Sequence, residues 1–247
     1  MTPVLEVTDL TMRFGSIAAA ESENVTVHSG EFVGIVGPNG AGKTTFLNLV
    51  TGYLRPQAGR VKFCGRDILG LRPEEITALG IGRSFQIPQL FLTLTVLENL
   101  LVALACAERR SLDFWRPLWQ TDRIRAAQQV LGQFGLEADA DRPASELPEG
   151  GRKLLDIALA FALRPTLLLM DEPTSGVSAQ EKFAVMDRLV AVLREGSVTA
   201  IFVEHDMEVV RRYADRVLVL DNGRIVAEGP PALVLGGEAA QQAARPG

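Results

Sequence analysis

Gly37-Pro38-Asn39-Gly40-Ala41-Gly42-Lys43-Thr44 stands between the apolar run Phe32-Val33-Gly34-Ile35-Val36 and the helix-like run Thr45-Phe46-Leu47-Asn48-Leu49-Val50. The spacing G-x-x-x-x-G-K-[ST] makes this stretch a P-loop. Its glycines let the backbone wrap a phosphate chain, and successive N–H groups at a helix N-terminus point at negative charge. In that arrangement the Lys43 ammonium reaches the β- and γ-phosphates and the Thr44 hydroxyl binds Mg2+. The competing reading is a glycine-rich turn from strand to helix that holds no ligand. The strand pattern before the loop and the helix pattern after it weigh against that reading. The loop implies nucleotide binding and leaves open what the nucleotide drives.

At 247 residues the chain is long enough to bury a full core. Its hydrophobic content of 47% raises the question of a membrane span. The longest apolar stretch, Phe91 to Cys106, is broken by Glu98 and Asn99 and is too short to cross a bilayer. The start, Met1-Thr2-Pro3-Val4, lacks the basic and apolar regions of a secretory signal, so the chain is expected to stay in the cytoplasm. Cys64 and Cys106 form no C-x-x-C pair and stand near no histidine cluster, which excludes zinc and redox motifs. A net charge of −5 argues against nucleic-acid partners. The small-residue tail from Gly236 to Gly247 is expected to be flexible.

From Val4 to Val36 the text reads as strands: Val4 to Val7, Asn24 to Val27, then the strand into the P-loop, with Arg13-Phe14-Gly15 between the first two. Gly59 to Gly65 reads as another short strand and turn, and Pro73-Glu74-Glu75 opens a helix. Ile81 to Phe85 returns as a strand ending at Gln86. Helical signals then run from Thr95 to Leu163. Thr95-x-x-Glu98 is a capping box, and Ile124, Ala127, Leu131 and Phe134 share one face of a helix that stops at Gly135. A third helix, Lys153 to Leu163, is apolar almost all round. This region reads as a helical subdomain inserted into an α/β core. The core resumes with the apolar run Thr166 to Met170, a helix capped by Ser178-x-x-Glu181, and two further strands. Asp221-Asn222-Gly223 turns the last of these into an antiparallel edge strand. Strands alternating with helices imply a doubly wound sheet.

A P-loop ATPase needs a carboxylate at the end of a neighbouring strand for Mg2+ and a base to orient the attacking water. Leu167-Leu168-Leu169-Met170-Asp171-Glu172 supplies both in order, with Asp171 as the metal residue and Glu172 as the base.

With these residues in hand, the chain resembles the nucleotide-binding subunits of ABC transporters from Val4 to about Leu235. The matching pieces are Gly37 to Thr45 as Walker A, Gln86 as the Q-loop glutamine, Leu147 to Gly151 at the signature position, Asp171-Glu172 as Walker B plus base, and His205 as the switch histidine. Alone, Gln86 would be a polar strand end and His205 an ordinary histidine; their order and placement at strand ends overturn that. The resemblance implies an α/β fold, a P-loop NTPase (RecA-like) core with an N-terminal antiparallel β subdomain and an inserted helical subdomain. It implies an ATP-binding core over 1–86 and 164–235, a helical signature subdomain over 87–163, and a flexible tail over 236–247. It also implies that Gln86 senses the γ-phosphate and joins Thr44 and Asp171 around Mg2+, that His205 contacts the γ-phosphate, and that Phe14 stacks on adenine. The other reading of Phe14 is a core residue of its strand.

Gly82-Arg83-Ser84-Phe85-Gln86, Thr95 to Leu100 and Glu204-His205-Asp206-Met207 are similar to the branched-chain amino-acid type of importer ATPase, which includes urea and amide systems. The resemblance implies ATP hydrolysis coupled to import, two integral-membrane permease subunits, a second ATPase subunit, indirect dependence on an extracytoplasmic solute-binding protein, and a place on the cytoplasmic face of the inner membrane. Ile87-Pro88-Gln89-Leu90-Phe91-Leu92 is either a docking surface or subdomain core.

Two departures stand out. The family signature begins Leu-Ser-Gly-Gly, whereas this chain has Leu147-Pro148-Glu149-Gly150-Gly151. Pro148 donates no hydrogen bond to a phosphate in the opposite subunit, and Glu149 adds negative charge there. The helix N-terminus that follows, at Arg152-Lys153, still offers backbone donors. The D-loop, Ser175-Gly176-Val177-Ser178, ends in Ser where Asp is common. An intact set of cis residues beside an altered signature implies pairing with a different ATPase subunit, with a homodimer as the other possibility. The alternative function is a regulatory nucleotide-binding subunit with little hydrolysis.

Overall fold

The computed structural model describes residues 2–108 and 118–236. Pro3–Phe14 (β1) and Ile17–His28 (β2) form a hairpin, Phe32–Val36 (β3) runs into the P-loop, and Lys43–Val50 (α1) leaves it. Ala58–Phe63 (β4), Arg66–Asp67 (β5), Pro73–Leu79 (α2) and Ile81–Ser84 (β6) follow. Three helices come next: Val96–Ala107 (α3), Thr121–Phe134 (α4) and Glu149–Ala162 (α5). The chain then alternates through Leu167–Asp171 (β7), Lys182–Glu195 (α6), Thr199–Val203 (β8), Met207–Tyr213 (α7), Arg216–Asp221 (β9), Arg224–Gly229 (β10) and Pro231–Val234 (α8).

The first sheet has the order β2-β1-β4-β5 and is antiparallel. The second has the order β10-β9-β3-β8-β7-β6, with parallel pairing throughout except for the β9–β10 hairpin at one edge. That hairpin turns on Asn222 and Gly223, both at positive φ, the backbone that a two-residue Asn-Gly turn requires. The central strands are apolar without alternation because both faces are covered. Leu168 and Met170 of β7 join one apolar cluster with α3 to α6, while Leu167 and Leu169 join the other with β1, β2, β4 and α1. Every central strand thus ends at the level where the P-loop begins.

The capping box at α3 is present: Thr95 Oγ1 accepts from Glu98 N at 3.1 Å and Glu98 Oε2 accepts from Thr95 N at 2.8 Å. Gly135, at φ +69, ends α4 in the left-handed conformation.

The structure corrects the sequence reading in three places. Val4–Val7 and Asn24–Val27 are parts of one long hairpin. A bulge at Asp9, whose N–H is taken by Asn24 Oδ1 at 3.1 Å, lets β1 bend without breaking. Ser178 is not the cap of α6. It sits in a turn, its hydroxyl bonded to Glu181 Oε2 at 2.8 Å, and α6 begins at Lys182 with Glu181 as N-cap. The helix after the signature begins at Glu149, because Pro148, with φ −61 and ψ 164, already has the backbone of an N-cap. The expected tail lies outside the described residues beyond Gly236.

Candidate nucleotide site

The P-loop is threaded between the end of β9 and the start of β2. A Cβ on Gly37 would run into the Leu220 carbonyl, and one on Gly42, at φ +104, into the Ala19 carbonyl. Only glycine fits either position. Lys43 curls over the loop it follows, donating to the Gly37 carbonyl at 2.7 Å and the Pro38 carbonyl at 2.9 Å. Burial pushes the Lys43 ammonium below its usual range, opposed by the charges of Glu172 and Asp171. Asn39 and Gly40 are exposed at the crest, Ala41 is buried beneath it, Thr44 is exposed and Thr45 half-buried.

Asp171 closes β7 and is 3% exposed. Burial pushes its carboxyl up, while Arg83 at 3.7 Å and the Thr44 hydroxyl pull it down. Arg83 was given no role by the sequence. It donates to Asn48 Oδ1 at 2.7 Å and Thr51 Oγ1 at 2.9 Å and lies over the rings of Phe85 and Tyr53, so it joins α1, β6 and the Asp171 carboxylate.

Glu172 is the meeting point of the site. Its Oε2 accepts from Gln86 Nε2 at 3.0 Å and its Oε1 lies 3.0 Å from His205 Nε2. Two side chains from separate loops, Gln86 and His205, therefore share the carboxylate of a third. Glu172 adopts φ +50, a left-handed backbone uncommon for a residue with a Cβ, fixed by its N–H donating to the Val203 carbonyl at 3.0 Å. Behind it, the buried Glu204 carboxylate accepts from Thr174 N at 2.9 Å, Thr174 Oγ1 at 2.7 Å and His205 N at 3.2 Å, tying the loop after β7 to the loop after β8. Glu204, read in the sequence only as part of the run Glu204 to Met207, was likewise given no role; its signal was its place next to His205 at a strand end.

The signature residues stand apart from this cluster. Leu147 is buried, and Arg152 N bonds to the Pro148 carbonyl at 3.0 Å, so the open N–H groups of α5 belong to Glu149, Gly150 and Gly151. The Glu149 carboxylate is held by Arg152 at 2.6 Å, and its stem rests on Gly176, where a Cβ would come within 2.8 Å of it. Glu149 is thus a paired charge folded onto the D-loop. Among the described residues no hydrogen bond or ion pair joins Leu147 to Gly151 with Lys43, Glu172 or His205. Phe14, 48% exposed at the tip of the β1–β2 hairpin, is not a core residue.

The donors near Asp171 are a carboxylate, a hydroxyl and an amide, the hard oxygens that Mg2+ takes, with phosphate and water left to complete its shell. Among the described residues no three His, Cys, Asp or Glu gather as a metal cage.

Residues 21–175 match the ABC transporter family. High-affinity branched-chain amino acid transport ATP-binding protein BraF of Pseudomonas aeruginosa is 35% identical over 239 residues, covering 93% of this chain and 92% of BraF. The ADP conformation of an ATP-binding cassette of an ABC transporter superposes with a TM-score of 0.86 at 32% identity, covering 96% of each chain. A dimeric, post-hydrolysis ATP-binding cassette bound to ADP and Pi gives 0.78 at 28% identity, covering 92% of this chain and 98% of that one. The likeness covers nearly the whole chain, and the chain belongs to the ABC transporter family as one of its ATP-hydrolysing cassettes.

Proposed function

We propose that this chain is the motor subunit of an importer for branched-chain amino acids or related small polar solutes, working at the cytoplasmic face of the inner membrane. The observation that carries the chemistry is the Glu172 carboxylate held by Gln86 on one oxygen and His205 on the other, at 3.0 Å each. The likeness to BraF supports the cargo class.

In this reading Phe14 stacks on adenine and the N–H groups of Gly37 to Thr45 cradle the phosphates. Lys43 leaves the Gly37 and Pro38 carbonyls for the β- and γ-phosphates. Thr44, Asp171 and Gln86 would hold Mg2+, which would neutralise phosphate charge. Glu172 orients the attacking water and accepts its proton, His205 contacts the γ-phosphate, and Gln86 links the phosphate to the helical region 87–163. Head-to-tail pairing with a second ATPase subunit brings the open N–H groups of Glu149 to Gly151 to the partner's nucleotide, and closure drives two permease subunits between access states. Ile87, Phe91 and Leu92, 75%, 56% and 50% exposed, support a permease docking surface within 87–92, while Leu90 packs against the apolar cluster beneath. A regulatory subunit with little hydrolysis is the weaker reading, because Glu172 and His205 are both present and in contact.

Glu172→Gln is expected to leave ATP binding intact and lower turnover by about 10²–10⁴-fold, the usual worth of a positioned base. An unchanged rate of phosphate release removes Glu172 from its role. For the cargo, uptake of labelled leucine, isoleucine and valine should fall in cells that carry the inactive variant, and equal uptake overturns that assignment.

A further inference from the structure

Two buried charges on α5 have no part in the chemistry above. Lys153 is 2% exposed and Asp156 is 5% exposed, one turn apart on the same face of the helix. Lys153 Nζ donates to the Gln86 carbonyl and, at 3.5 Å, to the Phe85 carbonyl. Asp156 Oδ2 accepts from Phe85 N at 3.0 Å and its Oδ1 from Gln89 N at 2.9 Å. Together they hold backbone groups on both sides of the residue whose side chain reaches Glu172. Desolvation works against each charge, pushing the Lys153 ammonium below its usual range and the Asp156 carboxyl above its own. Uncharged side chains would pack there at lower cost if covering the core were the only task.

We propose that Lys153 and Asp156 are positioning residues that set Gln86 against Glu172. Because α5 begins at the signature, they also make that setting follow the position of the signature helix. The path is short: Glu149 to Gly151 form the first turn, Lys153 and Asp156 stand on the next two, the backbone of Phe85, Gln86 and Gln89 rests on them, and Gln86 Nε2 meets Glu172 Oε2 at 3.0 Å. A phosphate bound by the first turn in the opposite site moves α5 as a rigid piece, and Gln86 moves with it. Occupancy of one site is thereby read at the base of the other. The relay rests on the roles proposed for Gln86 and Glu172.

The test is steady-state hydrolysis by the assembled transporter carrying Lys153→Met, Lys153→Arg or Asp156→Asn, each alone and combined with Gln86→Ala, with fluorescent ATP-analogue binding measured beside it. We expect Lys153→Met and Asp156→Asn to lower kcat at least tenfold while nucleotide affinity changes less than twofold. Lys153→Arg should recover most of the rate, and neither loss should deepen in the Gln86→Ala background. A residue that merely supports the lobe would add its loss to that of Gln86→Ala and respond equally to Met and Arg; either result overturns the proposal. Should Lys153→Met fail to fold, the Asp156→Asn cycle alone decides by the same criterion. Glu172→Gln run alongside separates the two readings. If it stays active the proposed function fails, whereas if it is dead while the α5 variants are normal only the relay fails.

Discussion

Glu23, in β2, is 2% exposed and neither of its carboxylate oxygens has a hydrogen-bond partner among the described residues. Burial pushes its carboxyl up to about 8 from an ordinary 4.5. The native chain therefore keeps a proton that the unfolded chain has released, and stability falls as pH rises from about 4.5 to about 8. Glu23→Gln should flatten the dependence of Tm on pH in that window. At pH 8 the variant should be more stable by roughly 4 kcal/mol, since each tenfold difference in proton affinity between the folded and unfolded chains is worth about 1.4 kcal/mol. A variant with the same slope as the parent would place the titration elsewhere. At this scale the placement of the P-loop, Gln86, Asp171, Glu172 and His205 at or just past strand ends was legible from their fixed order, and the structure brings Gln86 and His205 onto Glu172. Arg83, Glu204, Lys153 and Asp156 were not, because a buried charge announces itself only through the backbone groups it meets, and those come from distant parts of the chain.

Among the elements, α3 and α5 start in different ways. The reciprocal Thr95–Glu98 box closes the start of α3, so Thr95→Ala should lower stability by about 1 kcal/mol, read as a shift of the denaturant midpoint. Pro148 at the start of α5 offers no side-chain acceptor to the first turn. Pro148→Ser supplies both a cap and a donor for a phosphate facing it. It should raise hydrolysis by the chain paired with itself about tenfold, as one hydrogen bond to a charged group allows; no gain would clear Pro148 of blame for a weak trans site. Helices with marked caps were legible in the sequence. The β1–β2 hairpin was not, because the bulge at Asp9 interrupts the alternation of apolar residues that marks a strand. The start of α6 was missed for a related reason: Ser178 satisfies Glu181 in a turn before the helix, mimicking a cap.

For the molecule as a whole, the two apolar clusters on the faces of the parallel sheet follow from runs such as Leu167 to Met170, apolar on both sides, whereas the strand order is seen only in the structure. What the sequence could not convey is how the insertion attaches. The helical region is fastened to the core at the Q-loop through polar side chains of α5, and no periodicity records such a contact. The altered signature bears on assembly. Purified alone, the chain should hydrolyse ATP slowly, and adding the second ATPase and permeases proposed as its partners should raise turnover by an order of magnitude or more, about 1.4 kcal/mol per tenfold. Full cooperative turnover by the homodimer would remove the case for unequal partners.

The left-handed backbone at Glu172 has a consequence for how such a chain changes over time. At φ +50 glycine rests with less strain than glutamate, by about 1 kcal/mol. A laboratory selection for heat resistance alone has reason to accept Glu172→Gly; a selection for growth on the transported solute rejects it. With Glu172 as the proposed base, thermal screening of variant libraries of this protein is expected to enrich for inactive variants at this position unless turnover is scored in the same round.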